Sequence, residues 1–497
     1  MKKLMVASVL AAACSVCAEV KLAAPFSDGM VLQREKPLRI WGTASAGEKV
    51  HVVFADAHAN AEADADGRWM VELPPMPASK VGRVLAVNNL RVADVLVGEV
   101  WMCAGQSNTS LPIWGGSPRF RDGWGMMTIL STVKPYVRLV KTPCVMATEP
   151  KRDVTVKWTK MVPDVLCELS RKGMSLPSAM GYYFALELAN ALDVPVGIVD
   201  SSWGGTNIDS WTPRSGYEGL AGLDEERNWK SIPQKDWKNE MRKGPINGAV
   251  QQPSVLWNGM VAAYVPMSVR GFIWYQGCHN AWEYQRYANK MHALYNGWAK
   301  EFKNPDLSLY FVQLAPWGND NIANIQEAQA QFAAEEKNAA MAIINDVGNL
   351  KDIHPNDKRT VAKRLALHAL KRNYGWKQVR NESPTLKSWK IDGDRFVLSF
   401  NDADGWYIYN PDRSMTTGFE ICGADGAWKP AKVMNVLETK GGDGKPRRLG
   451  NLKGADVIVS AEGVAEPKKL RYLHSSPWFG SLYSDACLPL GAFHIGD

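Results

Sequence analysis

Beyond its first residues the chain has no apolar run near the roughly 18 residues that a membrane-spanning helix requires. It also lacks an H-E-x-x-H helix, a Walker loop and a dinucleotide fingerprint, so the usual signatures of zinc peptidases, P-loop NTPases and nicotinamide enzymes are missing. Cysteine is sparse, with eight in 497 residues, and the one C-x-x-C spacing, Cys14 to Cys17, lies at the extreme N-terminus. The other six, Cys103, Cys144, Cys167, Cys278, Cys422 and Cys487, are too scattered for a zinc cluster or a disulfide-dense scaffold. One-sided charge is absent too. A formal net charge of +7, with acids and bases interspersed, argues for neither nucleic acid nor a membrane surface as partner. No cofactor and no metal are expected.

What is present begins with an export signal. Lys2 and Lys3 precede an apolar core from Leu4 to Ala13, and Val16-Cys17-Ala18 offers small residues before a cut ahead of Glu19. This predicts export to a periplasmic or extracellular space. Lipid anchoring through Cys14 fits the preceding residues less well.

Hydropathy patterning divides the rest into three. Residues 19–97 read as short strands (38–41, 49–54 and 69–73) broken by Gly42, Gly47, Asp66-Gly67 and Pro74-Pro75, a β-sandwich-like pattern. From 98 to 377 helices and strands alternate. Met180, Tyr183, Phe184, Leu188 and Ala191 mark a helix before the strand 196–199, and Tyr287, Met291, Leu294, Tyr295, Trp298 and Phe302 mark another before 307–314. Asn356 is expected to cap a helix from Asp357 that stops at Gly375. Such alternation predicts an α/β domain with a mainly parallel sheet covered by helices on both faces. Two long aperiodic stretches, 109–177 and 211–257, are expected to be walls or lids. Residues 378–497 return to short strands and read as a C-terminal β-rich domain that packs against and orients the rest.

Four segments just beyond strand-like runs carry chemistry. Gly105-Gln106-Ser107-Asn108 ends the run from Val95 and presents a serine. Ser202-Trp203-Gly204-Gly205-Thr206, Trp274-Tyr275-Gln276-Gly277 with Asn280, and Asp352-Ile353-His354-Pro355 with Lys358 follow in order. A hydroxyl nucleophile needs a base and donors for the developing oxyanion, and these segments supply both.

In order and spacing these motifs resemble the sialate O-acetylesterase group of the SGNH hydrolase superfamily. The flanking segments Asp28 to Arg34 and Leu488 to Phe493 extend the resemblance over nearly the whole chain. It implies an SGNH-hydrolase-like fold flanked by two β-rich domains, and a serine esterase acting on O-acetylated sialic acid or another acetylated glycan. Ser107 would attack the acetyl carbonyl, and His354 would serve as base. His279 is the rival, read as a wall residue. The family's usual triad acid stands three residues before the histidine, where this chain has Lys351. Asp352 is therefore expected to orient His354, with Asp346 or a Ser–His dyad as alternatives. The oxyanion hole is expected from the Ser107 N–H, from Gly204 or Gly205, and from Gln276 or Asn280. Gln106, Asn108, Trp203, Thr206 and Trp274 are expected to contact substrate, and Trp101, Trp211 and Trp282 add to the aromatic surroundings. Two departures stand out, Thr109 for the usual Met and Cys278 for the usual Glu. Deacetylation of a plant polysaccharide such as xylan or pectin is the runner-up function, and an inactive glycan-binding protein the alternative outside the enzymes.

Overall fold

One strand, Leu90–Gly105, organises the molecule. In the computed structural model its first half pairs antiparallel with Ser79–Val87, which continues through Lys49–Phe54 to Ala57–Glu62. Its second half is the centre of a set of parallel strands, Val137–Lys141, Val196–Ser202, Leu90–Gly105, Gly271–Tyr275, Ser308–Val312 and Ala339–Ala342 in spatial order. The described residues are 19–496, except 115–124, 174–175, 237–247, 319, 349, 410–417, 438–448 and 475–479. The expected export signal, residues 1–18, lies outside them.

The eleven-stranded sheet is therefore mixed. The strands that reach the site run parallel, and the N-terminal hairpins extend the same sheet antiparallel. The boundary expected at 97/98 falls inside a continuous strand, and one hydrophobic core runs unbroken from Val20 to Leu370.

Alternation along Ser308–Val312 shows how the sheet is covered. Successive side chains of a strand point to opposite faces. Tyr310 meets the His368 ring of helix Lys358–Arg372, with centroids 5.8 Å apart, whereas Phe311 meets Phe332 of helix Asp320–Glu335 at 5.6 Å. Helix Ala179–Leu192 joins the first face, where Phe184 packs on Trp101, and helix Tyr284–Glu301 joins the second, where Trp298 packs on Phe272. Phe311 and Phe332 are both fully buried, each contributing about 2 kcal/mol from burial alone.

Helix Lys358–Arg372 begins one residue later than expected. Asp357 rather than Asn356 is its cap, and the Asp357 carboxylate accepts the Thr360 N–H at 2.9 Å. Beyond it, Phe396 to Ile495 enclose a second core between a seven-stranded and a four-stranded antiparallel sheet. No helix among the described residues is long and apolar enough to cross a membrane.

Candidate active site

The site forms where three neighbouring parallel strands end, at Gly105, Ser202 and Tyr275. Such a sheet edge leaves strand-end loops free to carry chemistry. Gly105 turns the chain with φ +137°, and a Cβ there would lie 2.4 Å from the Tyr275 carbonyl oxygen, so the turn requires glycine. The next residues enter a single helical turn, Ser107–Ser110, at whose start Ser107 sits half-buried.

His354 reaches this turn from the loop after Ala339–Ala342. Its Nε2 lies 2.9 Å from Ser107 Oγ and its Nδ1 lies 3.1 Å from Asp352 Oδ1. The His354 backbone N–H donates to the same Asp352 oxygen at 3.1 Å. A carboxylate oxygen accepts only, so Nδ1 carries the proton and Nε2 is left to accept from the Ser107 hydroxyl. Asp346, the alternative acid, is engaged elsewhere, with its carboxylate gripping Arg364 through contacts of 2.6 and 2.7 Å.

Gly204 is the neighbour expected of it. A Cβ on it would stand 3.3 Å from the Ser107 Cβ, and Trp203 is tied to the nucleophile turn by its N–H to the Gly105 carbonyl at 3.1 Å. Gly205 turns away with φ +74°, its carbonyl accepting from Gln251 Nε2 at 2.8 Å.

The third motif departs from expectation. Gln276 is fully buried and gives its amide nitrogen to the Thr206 carbonyl at 3.1 Å and to Asn280 Oδ1 at 2.7 Å, while its Oε1 accepts the Tyr287 hydroxyl at 2.8 Å. Both of its N–H groups are committed. Asn280, also fully buried, accepts the Ile208 N–H at 3.0 Å and donates to Glu283. These amides brace the loops under the site; Gln276 has no N–H left for an oxyanion, whereas Asn280 commits one of its two N–H groups, to Glu283.

The expected substrate contacts sort the same way. Trp274 is a core residue, edge-on to Trp211 and Trp298 at 6.3 and 5.9 Å. Thr206 is buried, accepting from Trp211 Nε1 at 3.0 Å. Gln106 is buried with its Oε1 on the Gly277 N–H at 3.2 Å, and Asn108 is buried with its Nδ2 on the Ile353 carbonyl at 3.0 Å. Trp203 remains half-buried beside the nucleophile, and Trp282 stands 72% exposed in the turn Cys278–Glu283. Burial pushes the Cys278 thiol up to about 12 and lowers the His279 imidazole.

A buried charge cluster behind the third motif was not foreseen. Lys290 Nζ meets Asp209, Glu226 and Glu283 at 2.9, 3.2 and 2.7 Å. Burial raises the Asp209 carboxyl, and Lys290 opposes that rise. Its signal was in the sequence. Lys290 lies on the same helical stripe as Tyr287 and Leu294, a cation on an apolar face, which demands buried partners.

Comparison with known proteins identifies the family. A family model described as carbohydrate esterase, sialic acid-specific acetylesterase, matches residues 97–371. The chain belongs to this family. It is an esterase, and its chemistry is that of a carbohydrate esterase. Sialate O-acetylesterase of Rattus norvegicus is 30% identical over 476 residues, covering 83% of this chain and 84% of the rat protein. The Homo sapiens sialate O-acetylesterase is 28% identical, covering 84% of this chain and 83% of its own length. The solved structure of a carbohydrate acetylesterase from Xanthomonas citri has a TM-score of 0.78 at 28% identity, covering 96% of this chain and all of that one.

Proposed function

We propose that the enzyme is an exported sialate O-acetylesterase that works through a serine acyl-enzyme. The observation that carries this reading is the hydrogen-bonded series Ser107 Oγ, His354 Nε2, His354 Nδ1 and Asp352 Oδ1, with links of 2.9 and 3.1 Å. As Ser107 Oγ attacks the acetyl carbonyl, its proton passes to His354 Nε2, and Asp352 stabilises the imidazolium. The carbon–oxygen bond to the sugar then breaks and His354 returns the proton to the departing hydroxyl. Water repeats the sequence on the acyl-serine, releasing acetate and restoring the free serine. The oxyanion is held by the N–H at the start of the Ser107–Ser110 turn and by the adjacent Gly204 N–H. Helix-start N–H groups have no intrahelical acceptor and are available to an anion. Trp203 and Trp282 offer the aromatic faces to the sugar.

Sialic acid is the substrate favoured by the relatives' names and by the match of the family model. The test measures acetate release from O-acetylated sialoglycan and from acetylated xylan, with wild type and Ser107→Ala. We expect release from the sialoglycan, lost by several orders of magnitude in Ser107→Ala and in His354→Ala. The double variant should be barely worse than either single, because residues acting as one unit are not additive. Release from xylan alone would move the substrate and leave the mechanism standing. Near wild-type turnover by Ser107→Ala would sink the mechanism.

A further inference from the structure

Three ligand-type side chains from separate elements converge away from the Ser107 site. Glu327 lies mid-way along helix Asp320–Glu335, His494 lies in the C-terminal strand Phe493–Ile495, and His474 follows the strand Lys469–Tyr472 that pairs with it. One ligand atom from each falls within 4.8 Å of the other two. His494 Nδ1 is 2.6 Å from Glu327 Oε1, and His474 Nε2 is 3.3 Å from that same oxygen. The imidazole centroids are 5.1 Å apart.

We propose that Glu327, His474 and His494 form a zinc site that clamps the C-terminal β-rich part to the helix bracing the catalytic loops. His474 Nε2 supplies the decisive detail. It is buried and, among the described residues, makes no hydrogen bond that meets normal geometry, its contact with Glu327 Oε1 being an ion-pair approach of 3.3 Å. A buried nitrogen without a partner is costly, and a cation between it and the carboxylate removes that cost. Two imidazoles and one carboxylate are a donor set that suits zinc, with a fourth position left for water. Ligand atoms on a tetrahedral zinc stand about 3.3 Å apart. The His474 contact already has that separation. The His494 contact must open by about 0.7 Å to reach it, which an imidazole with 44% of its surface exposed can do.

The opposite side of the helix explains why a clamp here matters. Gln329 donates to the Gln276 carbonyl at 3.2 Å, and Gln326 donates to the Leu314 carbonyl. The metal would thus secure the helix that supports the third motif without joining the chemistry. No spacing pattern announces such a site, and the expectation of no metal gives way here to ligands gathered from distant segments.

The test uses the full chain, free of any affinity tag and stripped with a chelator. Zn2+ titrated by calorimetry should bind one equivalent, and the melting temperature should rise with Zn2+ as any ligand of the folded state requires. Co2+ in place of Zn2+ should give the intense visible bands of a four-coordinate site. Glu327→Gln and His474→Gln should each weaken Zn2+ binding by at least about tenfold. His494→Ala, at a half-exposed position that tolerates truncation, should do the same if the buried variants fail to fold. Absence of binding by the wild type, or undiminished binding by His494→Ala, would overturn the proposal.

Discussion

Lys358 Nζ donates to Asn108 Oδ1 at 2.7 Å, joining the residue after the nucleophile to the first residue of the helix after His354. The same ammonium donates to the Pro355 carbonyl at 2.6 Å, and Asn108 Nδ2 donates to the Ile353 carbonyl at 3.0 Å. Ser107 and His354 are therefore held in register by a buried polar clasp on either side of the histidine. Lys358→Met removes two of its three bonds while filling the same volume. We expect kcat to fall about 10- to 100-fold, with KM nearly unchanged, because the pair is misaligned rather than the substrate lost. A loss confined to thermal stability would make Lys358 merely structural.

Asp352 and Asp346 should separate cleanly. Asp352→Asn leaves the His354 tautomer wrong, and turnover should drop about 10³- to 10⁴-fold in a protein that melts normally. Asp346→Asn strips Arg364 of a two-point partner in a site where each side chain is 10% exposed. Its effect should be on stability, about 3 kcal/mol in denaturant unfolding, with kcat largely kept. Reversed outcomes would transfer the orienting role to Asp346.

Cys278, with its thiol pushed up to about 12, stays protonated at neutral pH. It is no nucleophile under working conditions. Cys278→Ser should retain most turnover on a small acetate ester, and alkylation by iodoacetamide should stay slow until the pH nears that value. Cys278→Glu introduces a carboxylate, and preference among acetylated glycans should shift. An acyl group trapped on Cys278 rather than Ser107 would contradict this.

His368 makes the fold sensitive to acid. Burial lowers its imidazole from 6.5 to about 4, and Asn381 Nδ2 donates to its Nδ1 at 3.0 Å while Met341 supplies the acceptor for its Nε2–H at 3.2 Å. The neutral ring is thus built in. Above 6.5 both folded and unfolded chains carry it neutral and its contribution is complete. As pH falls from 6.5 towards 4 the unfolded chain takes up a proton that the folded one refuses, so stability declines, by about 3 kcal/mol in all. His368→Gln should flatten that part of the stability profile measured by urea unfolding. An unchanged slope between those pH values would exclude the assignment.

The sequence made the strand-end turns legible because each depends on local chemistry: the glycine before Gln106, the paired glycines after Trp203, and the Asp-x-His of the last loop. It could not tell bracing amides from catalytic ones. Gln276 is consumed by Thr206, Asn280 and Tyr287, and Asn280 is braced by Ile208 and Glu283, partners that come together only in the folded chain. Gly98 misled for another reason. It reads as a break, yet it sits inside Leu90–Gly105, where a Cβ would lie 2.1 Å from the Pro195 carbonyl oxygen. Its task is to admit a neighbouring backbone rather than to end a strand.

That unbroken strand also works as a measuring rod. Sixteen residues at about 3.3 Å each span about 50 Å, from the N-terminal hairpin at Leu90 to the turn before Ser107. A slip of one residue against Val196–Ser202 and Gly271–Tyr275 would turn the side chains of its second half to the wrong face and carry the nucleophile away from its histidine. The ladder with Ser79–Val87 begins at Val87↔Leu90 and shifts register twice, so the gauge for the serine is the parallel pairing at the far end. The N-terminal hairpins share a strand with the serine, while the neighbours that end at Ser202 and Tyr275 fix how far it protrudes.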